Sequence, residues 1–219
     1  MRIVFLGPQG VGKGTQGARL SERLGVPALS TGDMLRAEVR AGSALGLQAD
    51  ALMKAGELVS DSIMLGMIRD RVAQSDAASG FILDGFPRTL AQAEGLAGVL
   101  QLAGAPLDAV VLFTAPRAVL EPRLTGRRTC GDCGAVYHVV SRPSLKDGAC
   151  DRCGGALRQR ADDTPEAIGR RLDLYERETA PLATYFRGLG LLREVDGTLS
   201  VDEVFSSLCG ALHVGEAVS

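Results

Sequence analysis

Three groups of residues in this chain are of types, and at spacings, that do chemistry. The first is Gly7-Pro8-Gln9-Gly10-Val11-Gly12-Lys13-Gly14-Thr15. Glycines let successive backbone N–H groups turn inward around phosphate oxygens, and a lysine among them reaches the β- and γ-phosphates as a point charge. Lys13 is one of only three lysines, against 21 arginines. The usual pattern puts Ser or Thr directly after the lysine; here Gly14 intervenes before Thr15, which argues against direct hydroxyl coordination of a magnesium ion. The second group is Asp84-Gly85-Phe86-Pro87-Arg88-Thr89. Standing alone, Asp-Gly before Pro is a plain turn signal. Behind a phosphate loop it reads as a magnesium-holding carboxylate, acting through the ion's waters, with an arginine four residues on that can clamp a second phosphate bidentately. The third is Cys130-x2-Cys133 and Cys150-x2-Cys153, with 16 residues between the pairs. That is the spacing of a four-thiolate zinc site, closed and structural rather than catalytic. His138 is expected to pack or face solvent, and Cys209 to be a small buried hydrophobe.

The elements that must position these residues follow from apolar periodicity. Arg2 to Leu6 reads as a buried strand, ended by glycines and followed by a helix over Lys13 to Leu24. Further strands are expected at Phe81 to Leu83, Ala109 to Phe113 and Leu191 to Val195, separated by helical patterns. Such alternation predicts an α/β fold with a parallel sheet, in which Asp84 falls at a strand's carboxyl end, where open α/β sheets bind ligands. Ser30 to Ser75 has helical periodicity and no strand signal, and reads as a small helical insertion. Gly126 to Asp163 holds four of the five cysteines and reads as a separate module, ending where Thr164 can cap a helix with Pro165 in its first turn. One long helix is expected from Thr164 towards Phe186, an amphipathic helix over Ser200 to Leu212, and a frayed tail from Gly215 to Ser219.

Composition bounds the rest. The chain has 219 residues and a formal net charge of −2, which excludes a generically basic nucleic-acid binder. Apolar content of 46% and charged content of 23% are those of an ordinary globule able to bury a sizeable core. Five cysteines are too few for a disulfide scaffold, and Gly7-Pro8 arrives before a signal-peptide apolar region can develop, so a cytoplasmic setting is expected. The small total hides an uneven distribution: Arg123 to Arg171 carries +4 and the remainder −6.

Taken together, Gly7 to Thr15, Ser30-Thr31-Gly32-Asp33-Met34-Leu35-Arg36, Asp84 to Thr89 and the late Arg160 and Arg171 resemble adenylate kinase, in the long bacterial form with a zinc-binding lid. The resemblance covers the chain from Met1 to about Leu212. It implies a P-loop nucleoside-monophosphate kinase fold that reversibly transfers phosphoryl from Mg·ATP to AMP, giving two ADP. It implies a P-loop core (1–29, 60–125 and 164–219), an AMP-binding insertion (30–59) and a lid (126–163). Carried over residue by residue, it assigns ATP to Gly10, Val11, Gly12, Lys13, Gly14 and Thr15, with Arg127, Val136, Tyr137 and Leu199 lining the rest of that site. AMP is assigned to Thr31, Arg36, Glu57, Leu58, Val59, Gly85, Phe86, Pro87, Arg88 and Gln92, together with Arg160 and Arg171. Lys13, Asp84, Arg88, Arg123, Arg160 and Arg171 would form the catalytic set around the moving phosphoryl. Mg²⁺ with ATP and a structural Zn²⁺ are the implied cofactors, and ATP, AMP and ADP the partners, with no membrane or nucleic acid, in a monomer. Gln9 stands where many relatives carry Pro or Ala, with a small change in loop stiffness expected. The donor base stays open between ATP and GTP, while Thr31 and Gln92 favour an adenine acceptor over UMP or CMP. A zinc ribbon binding nucleic acid is the rival from another class; +4 with Tyr137 as the one interleaved aromatic speaks against it.

Overall fold

The computed structural model describes residues 1–55 and 57–215. Its centre is a five-stranded sheet, all parallel, in the order β2-β3-β1-β4-β8. These strands span Arg2–Leu6 (β1), Ala28–Ser30 (β2), Phe81–Asp84 (β3), Ala109–Thr114 (β4) and Leu192–Asp196 (β8). Apolar runs without polar alternation form β1, β3 and β4 because both faces are covered. Val4, Leu6, Leu83, Val110 and Leu112 point into one core, and Ile3, Phe5, Ile82, Val111 and Phe113 into the other. Helix α1 (Lys13–Leu24) packs on the second face, as does α9 (Val201–Ala211), which a Ser200/Glu203 capping box starts. Cys209 is buried on α9, as its apolar neighbours predict.

Two elements differ from the sequence reading. Ala28–Ser30 is a strand, pairing with β3 at the sheet edge; three residues are too few to show a period. The long helix expected from Thr164 divides into α7 (Pro165–Leu174), a π-helical turn Tyr175–Thr179 and α8 (Leu182–Gly188). Pro181 lacks an N–H and its ring crowds the carbonyl four residues back; just before it, the Ala180 N–H donates to Tyr175 O, one residue further than an α-helix reaches. The Thr164 cap and Pro165 start stand where the sequence places them.

The stretch between β2 and β3 is helical as expected, in α2 (Thr31–Ala41), α3 (Ala44–Ala55) and α4 (Asp61–Val72). Helix α5 (Leu90–Leu102) joins β3 to β4, and α6 (Arg117–Thr125) leads to a second, antiparallel sheet of β5 (Arg127–Cys130), β6 (Val136–His138) and β7 (Leu157–Arg158). Among the described residues no helix is long and apolar enough to cross a membrane. Of the tail expected to fray, residues 216–219 lie outside the described part.

Candidate active site

The parallel sheet brings its strand ends to one edge, and the chemistry sits there. The β1–α1 loop approaches β4 so closely that a Cβ at Gly7 would lie 2.6 Å from the Phe113 carbonyl oxygen. Gly12, at φ +104°, turns the chain into α1 without a side-chain cap. The first N–H groups of that helix have no intrahelical acceptor, and the helix dipole adds positive potential. Lys13 folds back over the loop, donating to the carbonyls of Gly7 at 2.7 Å and Pro8 at 3.0 Å. Its Nζ lies 4.0 Å from Asp84 Oδ1, since register sets Asp84 opposite Phe5 and beside Ser30. Thr15 is exposed, and Gly14 faces Asp84.

The basic side chains nearby are held together at a cost. Burial pulls Lys13 down to about 8, with Arg88, Arg171 and Arg127 adding repulsion and Asp84 opposing both. Arg88 falls to about 10 by burial and the neighbouring Arg171, and Arg160 to about 10 by burial and Arg127. Arg171 is lowered by burial. Burial raises Asp84, against the pull of Lys13 and Arg88. Cations from β3's end, α2, the small sheet and α7 thus converge where fewer carboxylates meet them, a disposition that favours a polyanion.

The arginines are aimed by specific partners. Arg88 Nε donates to Gly85 O at 2.8 Å, and Thr179, on the π-helical turn, donates to Arg88 O at 2.9 Å. Arg127 pairs through Nε and Nη2 with Asp163, which is fully buried, and Arg171 reaches Asp162 and Asp163. Arg160 Nε donates to Thr129 Oγ1 at 2.9 Å. Arg123 holds the Gly197 carbonyl at 2.7 Å, two residues before Leu199, which is exposed. Asp163 escaped the sequence reading as a site residue. Its only trace there was the Asp162-Asp163 pair ahead of the Thr164 cap, a pattern that looks like turn chemistry.

A cleft opens beside these groups, between α2 and α3 on one side and the β3–α5 loop on the other. It gathers Arg36, Glu57, Leu58 and Val59 from the insertion, Gly85, Arg88 and Gln92 from the core, and Arg171 from α7. Thr31 is fully buried under Asp84, donating to its carbonyl, and Phe86 is buried in the core beside Pro87. The Phe86–Pro87 peptide is cis. Gln92 is nearly fully buried: its Oε1 accepts from Arg88 N and its Nε2 donates to Asp61, a partner the sequence did not reveal.

The cysteine module is a separate centre. All four sulfurs lie within 4.8 Å of one another. Cys130–Cys153 and Cys133–Cys150 are each 3.5 Å apart, far beyond a disulfide's roughly 2.05 Å. They are close to the edge of a tetrahedron with metal–sulfur bonds of about 2.3 Å. The two knuckles repeat each other: Cys130 O accepts from Gly134 N and Cys130 N donates to Ala135 O, as Cys150 does with Gly154 and Gly155. The donor set therefore fits a tetrahedral zinc. Tyr137 is buried against it, its hydroxyl 3.5 Å from Cys150 Sγ, whereas Val136 beside it is exposed. His138 stays out of the sulfur cluster: its Nδ1 accepts from Val140 N and Ser141 N.

The sequence model of the adenylate kinase family matches residues 5–191. Proteins named adenylate kinase from Thermodesulfovibrio yellowstonii and Moorella thermoacetica are 51% and 49% identical to this chain, over 97% of it and 99% and 98% of their own lengths. One from the archaeon Archaeoglobus fulgidus is 47% identical over 95% of this chain and 96% of its own. A phosphate loop at a parallel-sheet edge, facing converging arginines, defines a phosphoryl-transfer protein, and this chain belongs to the adenylate kinase family.

Proposed function

We propose that the chain transfers the γ-phosphoryl group of Mg·ATP reversibly to AMP, forming two ADP. The observation that carries this reading is the convergence of Lys13, Arg88, Arg160 and Arg171, each depressed by burial, between the phosphate loop and the cleft. Phosphoryl transfer asks for positioning and charge neutralisation more than for a strong base. In this reading Gly10 to Thr15 cradle the ATP phosphates, Lys13 reaches β and γ, and Asp84 would hold the magnesium ion. Arg127, Val136, Tyr137 and Leu199 line the rest of the ATP site. AMP enters the cleft with its phosphate on Arg36 and Arg88 and its base towards Glu57 to Val59 and Gln92, while Thr31, Gly85, Phe86 and Pro87 shape the floor. Arg123, Arg160 and Arg171 surround the group in flight. Magnesium supplies charge neutralisation on the phosphates, and zinc, held by Cys130, Cys133, Cys150 and Cys153, supplies rigidity to the lid.

Water must stay out until both nucleotides are present. A rigid core (1–29, 60–125 and 164–219) with two covers, the insertion 30–59 and the lid 126–163, meets that need. The reading takes the chain as a monomer, and four closely gathered free thiols suit a reducing, cytoplasmic setting. The test mixes the protein with Mg²⁺, ATP and a panel of monophosphates and follows diphosphate formation. ADP from AMP, in preference to products from UMP or CMP, supports the reading; no diphosphate from any acceptor overturns it.

A further inference from the structure

Neighbours on α7 do different things. Arg171 turns into the cleft, while Arg170, on the exposed side, donates through Nε to the Ala55 carbonyl at 2.7 Å. Ala55 is the last residue of α3, so the guanidinium sits on the unsatisfied carbonyl end of that helix, where the dipole is negative. The bond spans 115 residues of sequence. Among the described residues it is the only side-chain hydrogen bond joining α3 to α7. Just beyond Ala55, Glu57 to Val59 line the cleft, and Met53 lines it just before.

We propose that Arg170 is a positioning residue for the acceptor nucleotide: it fastens the outgoing end of α3 to the core helix that delivers Arg171, keeping the insertion close over the cleft before a nucleotide arrives. This rests on the reading of the cleft as the AMP site. The physical argument is one of populations. A cover free to swing open binds its ligand with the intrinsic affinity reduced by the fraction of time it is closed. A charged donor on a helix-end carbonyl raises that fraction without touching the ligand. Lys13, Asp84 and the lid lie elsewhere, so the effect is confined to one substrate. Opening of the insertion, where it limits product release, becomes easier when the tie is cut.

The experiment compares wild type with Arg170→Ala, Arg170→Gln and Arg170→Lys, using steady-state kinetics in both substrates and AMP binding by calorimetry. For Ala and Gln we expect KM and Kd for AMP to rise about three- to tenfold, KM for ATP to stay within twofold, and kcat to hold or rise. Lysine, which keeps a charged donor, restores at least half of the loss. The melting temperature checks folding: a variant that melts within a few degrees of wild type and shows the AMP-only effect supports the assignment. Unchanged AMP constants, equal losses for both nucleotides, or no rescue by lysine overturn it. The wild-type assay separates the two claims: if wild type forms no ADP the functional reading falls, whereas if wild type works and the variants match it only the role of Arg170 falls.

Discussion

The knot of four free cysteine thiols and the cleft both gather reactive side chains, and they are held together in opposite ways. In the knot every sulfur comes from 24 consecutive residues, Cys130 to Cys153, in two knuckles with the same backbone hydrogen bonds. Its buried apolar core is little more than Cys130, Tyr137 and Cys150, too small to hold a fold without a metal. At the sheet edge the participants run from Lys13, beside the cleft, to Arg171, which lines it; separate elements deliver them, and a large two-faced core holds the scaffold. The knot's internal attraction stabilises it once metal is bound. The basic groups gathered at and beside the cleft repel one another, and burial lowers their affinity for protons. One site is built to stay closed, the other to wait for an anion.

Experiments can break that contrast. The largest effect is expected at Lys13: Lys13→Met should lower kcat by about 10²–10³-fold with the melting temperature nearly unchanged, since it removes a cation aimed at developing charge. Near-wild-type turnover would end the phosphate-loop assignment. The knot should answer in the other currency. Removing metal with a chelator, or changing Cys130 and Cys133 to Ser, should lower the melting temperature by about 10 °C or more while low-temperature turnover falls far less. Equal melting of metal-free and metal-loaded protein would show that no structural ion is held there.

Asp163 connects the two regions, since it anchors Arg127 at the start of the lid and Arg171 on α7. Asp163→Asn leaves two buried guanidiniums facing a neutral amide, at a cost of about 3 kcal/mol. Calorimetry should then show melting about 6–12 °C lower, and a change under 2 °C would mean that the pair contributes little. Smaller still is the alkaline limb of the pH profile. Lys13, lowered to about 8 in the free protein, loses its proton above that pH, so kcat/KM for ATP should begin to fall near pH 8 rather than near 10. The same shift acts oppositely on stability. Between pH 8 and 10.5 the unfolded chain holds more protons on Lys13 than the folded one does, so this group's contribution to nucleotide-free stability rises with pH there. A kcat/KM profile flat to pH 9.5 would contradict the assignment of Lys13 to the ATP phosphates. The smallest effect is expected at Gln9, whose Oε1 is buried without a partner among the described residues. Gln9→Ala should leave turnover within twofold and melting equal or slightly higher.

Local pattern reveals what depends on neighbours in sequence. Arg2–Leu6 and Lys13–Leu24 stand at the boundaries their apolar runs predict, and the cysteine cluster stands at its spacing. Buried strands must be continuously apolar, and a knuckle closes over four residues. The β2 strand, the π-helical turn before Pro181, and the partners Asp61, Asp163 and Thr179 were not legible. Each of these partners gains its meaning from a residue on another element: Asp61 from Gln92, Asp163 from Arg127, Thr179 from Arg88. A carboxylate or hydroxyl carries no mark of which cation or carbonyl will lie within 3 Å of it.

The amino-acid sequence by itself therefore determined the fold class, the phosphate loop and the four-cysteine cluster, because each is encoded by period or spacing within a few dozen residues. Tertiary structure alone decided which arginines share a cleft, how buried they are, and which carboxylates neutralise them. Those quantities depend on distances through space and on excluded water, and they come into being only when the sheet brings its strand ends together.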